Sequence, residues 1–314
     1  MDLYRGNRVA VILPCFNEAP AIAGVVAGFR AAIPAAAVHV FDNASSDDTA
    51  AVAQAAGAAV TRVGDRGKGN VVRRMFADVE ADIYLMADGD GTYDAAAARM
   101  LVDALIDGGV DVVVGVRQSD GAQAAYRRGH ATGNRALTGA VAHIFGGEFT
   151  DMLSGYRAMS RRFVKSFPAL SKGFEIETEL TIHALELKVP CAEVPTRYSE
   201  RHAGTASKLS TWRDGLRIVR TILRLHMLER PLAFYLTLAL AGFFVSLWLG
   251  VPVILEFVET GLVPRFPTAI AAVGAMLAAA LSAACAMILD SVVTGRREAR
   301  RLVYLSIPRT QDCR

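Results

Sequence analysis

Residues Ile83–Asp94 read IYLMADGDGTYD, a short apolar run that closes on Asp88, Asp90 and Asp94 with Gly89 and Gly91 between them. A run this short, bounded by glycine and acid, reads as a buried strand whose end delivers carboxylates to one point. In an extended segment alternate residues project to the same side, so Asp88 and Asp90 suit one hard, oxygen-liganded cation. The glycines let the backbone pass close to a ligand. A D-x-D on its own is weak, because a capped turn gives the same letters.

Working outward, strand-like runs at Val9–Leu13, Val38–Phe41, Ala59–Arg62, Ile83–Ala87 and Val110–Val116 alternate with helical stretches at Ala19–Ala31, Asp47–Ala56, Asn70–Val79 and Ala95–Ile106. That rhythm predicts an α/β domain around a mostly parallel sheet. Ser46 or Asp47 is placed to cap the second helix and Asp94 the fourth. In such sheets ligands bind beyond the carboxyl ends of the strands. The residues there are Pro14–Glu18, Asp42 and Asn43, Gly64–Gly69, and Asp88–Asp90. A site for bare phosphate would offer backbone N–H groups and a cation. These largely acidic loops call instead for a divalent metal bridging carboxylates to a diphosphate. A dinucleotide fingerprint at Gly89 would put carboxylates where the pyrophosphate goes, and Gly64–Gly69 lacks the spacing of a P-loop. His183, in the helical run Glu177–Leu187, reads as a packing residue, and no histidines are spaced as a metal pair.

The chain is 53% apolar and its mean hydropathy is +0.31, greasier than a soluble enzyme. The excess lies in Leu232–Leu255 and Phe266–Leu289, each without a charge, and about 20 apolar residues span a bilayer. Arginines 213, 217, 220, 224 and 230 precede the first span and 296, 297, 300 and 301 follow the second, which predicts cytoplasmic termini. The N-terminal apolar run is too short for a signal peptide, and Pro14 closes it. Four dispersed cysteines fit a reducing compartment. The net charge of +3 gathers beside the spans and predicts attraction to anionic lipid, not nucleic acid. Between Lys208 and Arg230 an apolar stripe (Trp212, Leu216, Val219, Leu223) lies beside the arginine stripe, as in an interfacial helix; a helix packed on the soluble domain is the other reading. Small residues recur at Gly242, Ser246 and Gly250, and at Gly274, Ala278, Ser282 and Ala286, predicting close helix packing and a homo-oligomer. The expected segments are a soluble domain over 1–207, the amphipathic helix over 208–231, two spans within 232–289 and a basic tail over 290–314.

The ordered series VILPCFNE, FDNASSDDT, RGKGNVVR, DGDGTYD, TDMLSGYR and RHAGTASK, over about residues 8–208, resembles the family-2 glycosyltransferases of the GT-A fold. The branch it is most similar to includes dolichol-phosphate mannose synthase and bacterial polyprenyl-phosphate sugar transferases. The QxxRW-type motif of processive synthases is absent. The resemblance implies a Rossmann-like catalytic domain in which Pro14, Asn17, Glu18, Asp42 and Lys68 bind the nucleotide-sugar donor, with a UDP-sugar preferred over a GDP-sugar. It implies that Asp88 and Asp90 hold Mg²⁺ or Mn²⁺ on the donor diphosphate. Asp151, Ser154 and Arg157 match the acceptor-side motif, with Asp151 catalytic, and Arg201 and Lys208 match a loop that closes on the pyrophosphate. Asn43, Thr92 and Thr150 stand where relatives often carry Asp, Gln and a basic residue, so Arg135 is the candidate for the acceptor phosphate. Arg157 and Glu177 as a surface ion pair is the plainer alternative.

The resulting expectation is an inverting, metal-dependent hexosyltransferase that moves a sugar onto polyprenyl phosphate at the cytoplasmic membrane face. Two other readings stay open: transfer to a lipid or glycan hydroxyl, with Asp151 as general base, and a membrane scaffold that binds nucleotide-sugar without turnover.

Overall fold

The structure is a computed structural model that describes residues 2–118, 139, 149–173, 175–199, 220, 227 and 230–309. The chain divides into two compact units, Met1–Ile218 with Arg300–Arg314, and Val219–Ala299. Among the described residues of the first unit seven strands form one sheet: β1 (Val9–Cys15), β2 (Ala37–Asp42), β3 (Ala59–Arg62), β4 (Ile83–Met86), β5 (Val112–Gln118), β6 (Arg157–Ser160) and β7 (Cys191–Arg197). Their order is β3-β2-β1-β4-β6-β5-β7. Only β6 runs antiparallel to its neighbours; every other adjacent pair is parallel.

The central strands β1 and β4 are apolar on both sides because helices cover both faces. Val9, Val11 and Leu13 of β1 pack against α1 (Ala19–Ala32) and α4 (Ala98–Asp107). The alternate residues Ala10 and Ile12 pack on the face of α3 (Lys68–Asp78), α5 (Arg161–Ser166) and α6 (Ile176–Leu187). Asp94 accepts from Ala96 N at 2.9 Å and starts a 3-10 turn leading into α4, as expected. Asp47 accepts from Thr49 N at 3.1 Å at the head of α2 (Thr49–Ala55). The sheet also contains β6 and β7, which no periodicity announced.

Among the described residues the second unit holds two long helices, α7 (Pro231–Thr260) and most of α8 (Phe266–Ser306), each long and apolar enough to cross a membrane. Gly242, Ser246 and Gly250 form a packing face as expected: a Cβ on Gly242 would lie 3.2 Å from Ala279 Cβ, and Ser246 Oγ donates to Ala272 O at 2.8 Å. The opposing face is corrected in part: Ala286 is buried as expected, but Ala272 and Ala279 complete the face, whereas Gly274 and Ala278 are exposed and a Cβ on Gly274 would meet nothing within 4 Å. Helix α8 also runs well past Leu289, to Ser306. Its last turns group with the first unit, where Tyr304 Oη donates to Asp111 at 2.7 Å and Arg300 to Glu186 at 2.8 Å.

Candidate active site

The parallel run β3-β2-β1-β4 brings four strand ends to one edge, and a cavity of about 260 Å³ opens there. Its wall includes Pro14 at the end of β1, Phe16 and Glu18 after it, Asn43 after β2, Arg66 and Lys68 around the start of α3, and Asp88 and Asp90 after β4. Of the expected donor set, Asn17 and Asp42 brace this wall without lining it. Asn17 adopts φ 54° and its Oδ1 accepts from Ser46 N at 2.9 Å, while buried Asp42 accepts from Ser45 N at 3.4 Å. Asn43 has a task an aspartate could not perform. Its Nδ2 donates to Asp65 O at 2.7 Å while its Oδ1 accepts from Gly67 N at 2.7 Å, which fixes the loop entering α3. The sequence reading did not single out Arg66, whose guanidinium sits 5.3 Å from the centre of the Phe16 ring at the cavity wall.

Asp90 is buried, and its Oδ1 accepts from both the backbone N (3.1 Å) and the hydroxyl (2.6 Å) of Thr92. Asp88 is more open and takes Lys68 Nζ at 2.5 Å; the same ammonium lies 2.5 Å from Glu177 Oε1 on α6. Burial alone would lower the Lys68 pKa, but the attraction of Asp88 and Glu177 outweighs it and the pKa is raised. Gly155 presses on this cluster: a Cβ there would stand 3.3 Å from both Asp88 Oδ2 and Lys68 Nζ. Gly89 packs against Cys15, and a Cβ on it would collide with the Cys15 sulfur. Among the described residues no group of three or more His, Cys, Asp or Glu could hold an ion alone. Two carboxylates at the cavity do fit a hard cation that takes its remaining oxygen ligands from a diphosphate.

The acceptor-side segment departs from expectation. Asp151 is held bidentately by Arg117, at the end of β5, with Nε and Nη2 each donating at 2.7 Å and the Arg117 backbone N at 3.3 Å. Burial opposes the Arg117 charge, but Asp151 prevails and the guanidinium pKa is raised. Arg117 also lies 5.6 Å from the Tyr198 ring centre, and Tyr93 packs between Tyr156 and Tyr198. Tyr93 Oη accepts from Gly155 N at 2.8 Å, which ties this wall to the Asp88 cluster. The resemblance implies acceptor contacts for Ser154 and Arg157, yet both are wholly buried. Ser154 Oγ donates to Gly115 O at 2.6 Å, and Arg157 donates to the carbonyls of Ser154, Met152 and Glu177 and to Thr181 Oγ1. They are internal braces, and Arg157 with Glu177 is no surface pair. Thr150 donates through backbone and hydroxyl to Glu193, at 2.8 and 2.7 Å. His183 is a packing residue, set among the rings of Phe163 and Phe167 with Nε2 3.2 Å from Ser166 Oγ. Arg135, Arg201, Lys208 and the amphipathic stretch over 208–229 lie outside the described residues, residues 220 and 227 apart.

A mixed sheet with a cavity at the parallel strand ends and a D-x-D at its wall defines a nucleotide-sugar transferase fold of the GT-A type. Residues 10–167 match Glycosyl transferase family 2, and the chain belongs to that family. It is 36% identical to Glycosyltransferase AglJ of Haloferax volcanii over 80% of this chain and 83% of that one. It is 29% identical to a dolichyl-phosphate hexose transferase of the same organism (73% and 99%), and 26% identical to the polyprenol monophosphomannose synthase of Mycolicibacterium smegmatis (65% and 82%). Among solved structures it is similar to glucosyl-3-phosphoglycerate synthase of Mycobacterium tuberculosis, solved in complex with Mn²⁺, UDP and glucosyl-3-phosphoglycerate. The TM-score is 0.57 at 25% identity, over 69% of this chain and 80% of that one.

Proposed function

We propose that this glycosyltransferase moves a hexose, with inversion, from a nucleoside-diphosphate sugar to a polyprenyl phosphate at the cytoplasmic face of a membrane. The observation that carries the acceptor class is the Arg117–Asp151 clamp. Both oxygens of Asp151 are engaged by guanidinium donors, so the carboxylate is poorly placed to take a proton from a hydroxyl. A lipid phosphate, with a second pKa near about 6, arrives largely ionised and needs positioning by cations more than it needs a base. Arg117, fixed by Asp151, is such a cation. The two relatives named for dolichyl and polyprenol phosphate chemistry support the same acceptor, and the two long apolar helices supply the membrane.

On the donor side, Asp88 and Asp90 would hold Mg²⁺ or Mn²⁺, which when bound supplies charge neutralisation to the departing diphosphate. The stacked Phe16 and Arg66 provide a flat cationic wall for the base, and a UDP-sugar is the preferred donor, in line with the neighbour that binds UDP. The acceptor phosphate oxygen forms a bond to the anomeric carbon as the bond from that carbon to the diphosphate oxygen breaks. The electron pair leaves with the nucleoside diphosphate, and Arg201 and Lys208 would add positive charge beside it. Arg135 remains the second candidate for the acceptor phosphate.

The test is a panel of nucleotide-sugars assayed with undecaprenyl phosphate and, separately, with undecaprenol. Transfer to the phosphate alone, abolished by chelator or by Asp90→Ala and restored to the native chain by Mg²⁺ or Mn²⁺, is the expected result. Transfer to the alcohol alone would refute the acceptor, and full activity in excess chelator would refute the metal site.

A further inference from the structure

Neither the motif series nor the comparisons assign a role to Glu177. It stands on the first turn of α6, 4% exposed, with one oxygen 2.5 Å from Lys68 Nζ and the other buried without a hydrogen-bond partner among the described residues. Burying a carboxylate costs several kcal/mol unless it is paired, so its position requires an explanation. The fold places it 109 residues beyond Lys68 in the chain, yet on the same ammonium as the carboxylate proposed to receive the metal.

We infer that Glu177 is a positioning residue that holds Lys68 while Asp88 turns from the ammonium to the divalent cation. This rests on the metal reading given above. In the structure Lys68 Nζ lies 2.5 Å from Asp88 Oδ1, so part of the carboxylate a metal would use is already occupied by a competing cation. Without a second acceptor, metal binding would strand a buried ammonium beside a dication, and the metal would have to overcome the whole Lys68–Asp88 attraction. Glu177 removes that penalty, because Lys68 can relax onto it with a charge-assisted bond already formed. Geometry restrains the exchange: Gly155 closes over both Asp88 and Lys68, and Gly69 N donates to Lys172 O at 3.1 Å, which fixes the first turn of α3. Lys68 can therefore shift its allegiance without leaving the site.

The experiment measures Mn²⁺ binding to the full-length protein in detergent with saturating UDP, by water-proton relaxation, alongside the dependence of transfer on Mn²⁺. Glu177→Gln retains shape but not charge, and the expected result is an Mn²⁺ affinity weakened about tenfold, the order of one charge-assisted hydrogen bond. KM for Mn²⁺ should rise more than kcat falls. In a Lys68→Met background the same substitution should no longer weaken Mn²⁺ binding, because no ammonium competes. Wild-type Mn²⁺ affinity in Glu177→Gln overturns the inference, as does a tenfold loss that persists in Lys68→Met, which would mark a simple field effect. If Glu177→Gln does not fold, Glu177→Asp is read by the same assay, with weakened binding expected and native binding overturning the inference. A native protein that binds no Mn²⁺ in the presence of UDP would instead refute the metal reading itself.

Discussion

At Gly89 there is no room for a methyl group, because the Cys15 sulfur occupies the place where it would go. Gly89→Ala should therefore displace the loop bearing Asp88 and Asp90, destabilise the protein by about 1–3 kcal/mol as overpacking does, and depress transfer. Cys15→Ala in the same chain should restore much of both in thermal unfolding and activity assays; no relief would mean that another contact is responsible. His183 offers a separate test. Burial, followed by the charge of Arg300, pushes its pKa down from 6.5 to about 3, so the folded protein keeps it neutral while the unfolded chain takes up a proton below pH 6.5. Its contribution to stability is complete above pH 6.5 and is lost as the pH falls, by about 2 kcal/mol at pH 5. The stability of His183→Gln should decline less between pH 6.5 and 5 than that of the native chain, and parallel curves would contradict the assignment. That Asp88 and Asp90 reach one cavity was legible because they stand two apart just after a strand. Arg117 was not, since its partner Asp151 lies 34 residues away and VVVGVRQ gives no sign of an ion pair.

Among elements, the strands that sequence reading found are β-branched or apolar runs set off by glycine, acid or a following helical pattern, and the ones it missed have physical reasons to be silent. Strand β6 is only RAMS, four residues buried on both sides, with neither alternation nor length. Strand β7, CAEVPTR, contains Pro195, which argues against a central strand; at the end of the order β3-β2-β1-β4-β6-β5-β7 it is an edge, where proline is tolerated. In the apolar helices the period of small residues was readable, but the face used on α8 was not, because alanine populates several faces of that helix. Gly242→Leu should force Ala279 away and lower thermal stability in detergent, by about 1–3 kcal/mol in the range of overpacked cores. Gly274→Leu points into open space and should not disturb the pairing of the two helices. Equal destabilisation by both would mean that the packing faces are assigned wrongly.

For the molecule as a whole, the acceptor decides what pH dependence transfer should show. With a lipid phosphate, the rate should fall as the pH drops through the acceptor's second pKa near about 6. Asp151→Asn should leave measurable transfer with that same profile, and Arg117→Ala should chiefly raise KM for the lipid. Complete loss in Asp151→Asn together with use of a lipid alcohol would show that a hydroxyl is the true nucleophile. The sheet order also has a reading in time. Strands β1 to β4 are complete by residue 86, whereas the strand that pairs with the free side of β4 begins only at residue 157. A ribosome therefore releases the first four strands of the sheet while Ile83–Met86 still presents an unpaired apolar edge, and such edges recruit other chains. Nascent chains arrested before residue 157 should be the aggregation-prone species in biosynthesis, and the antiparallel β6, so easily overlooked as RAMS, is the segment whose arrival ends that exposure.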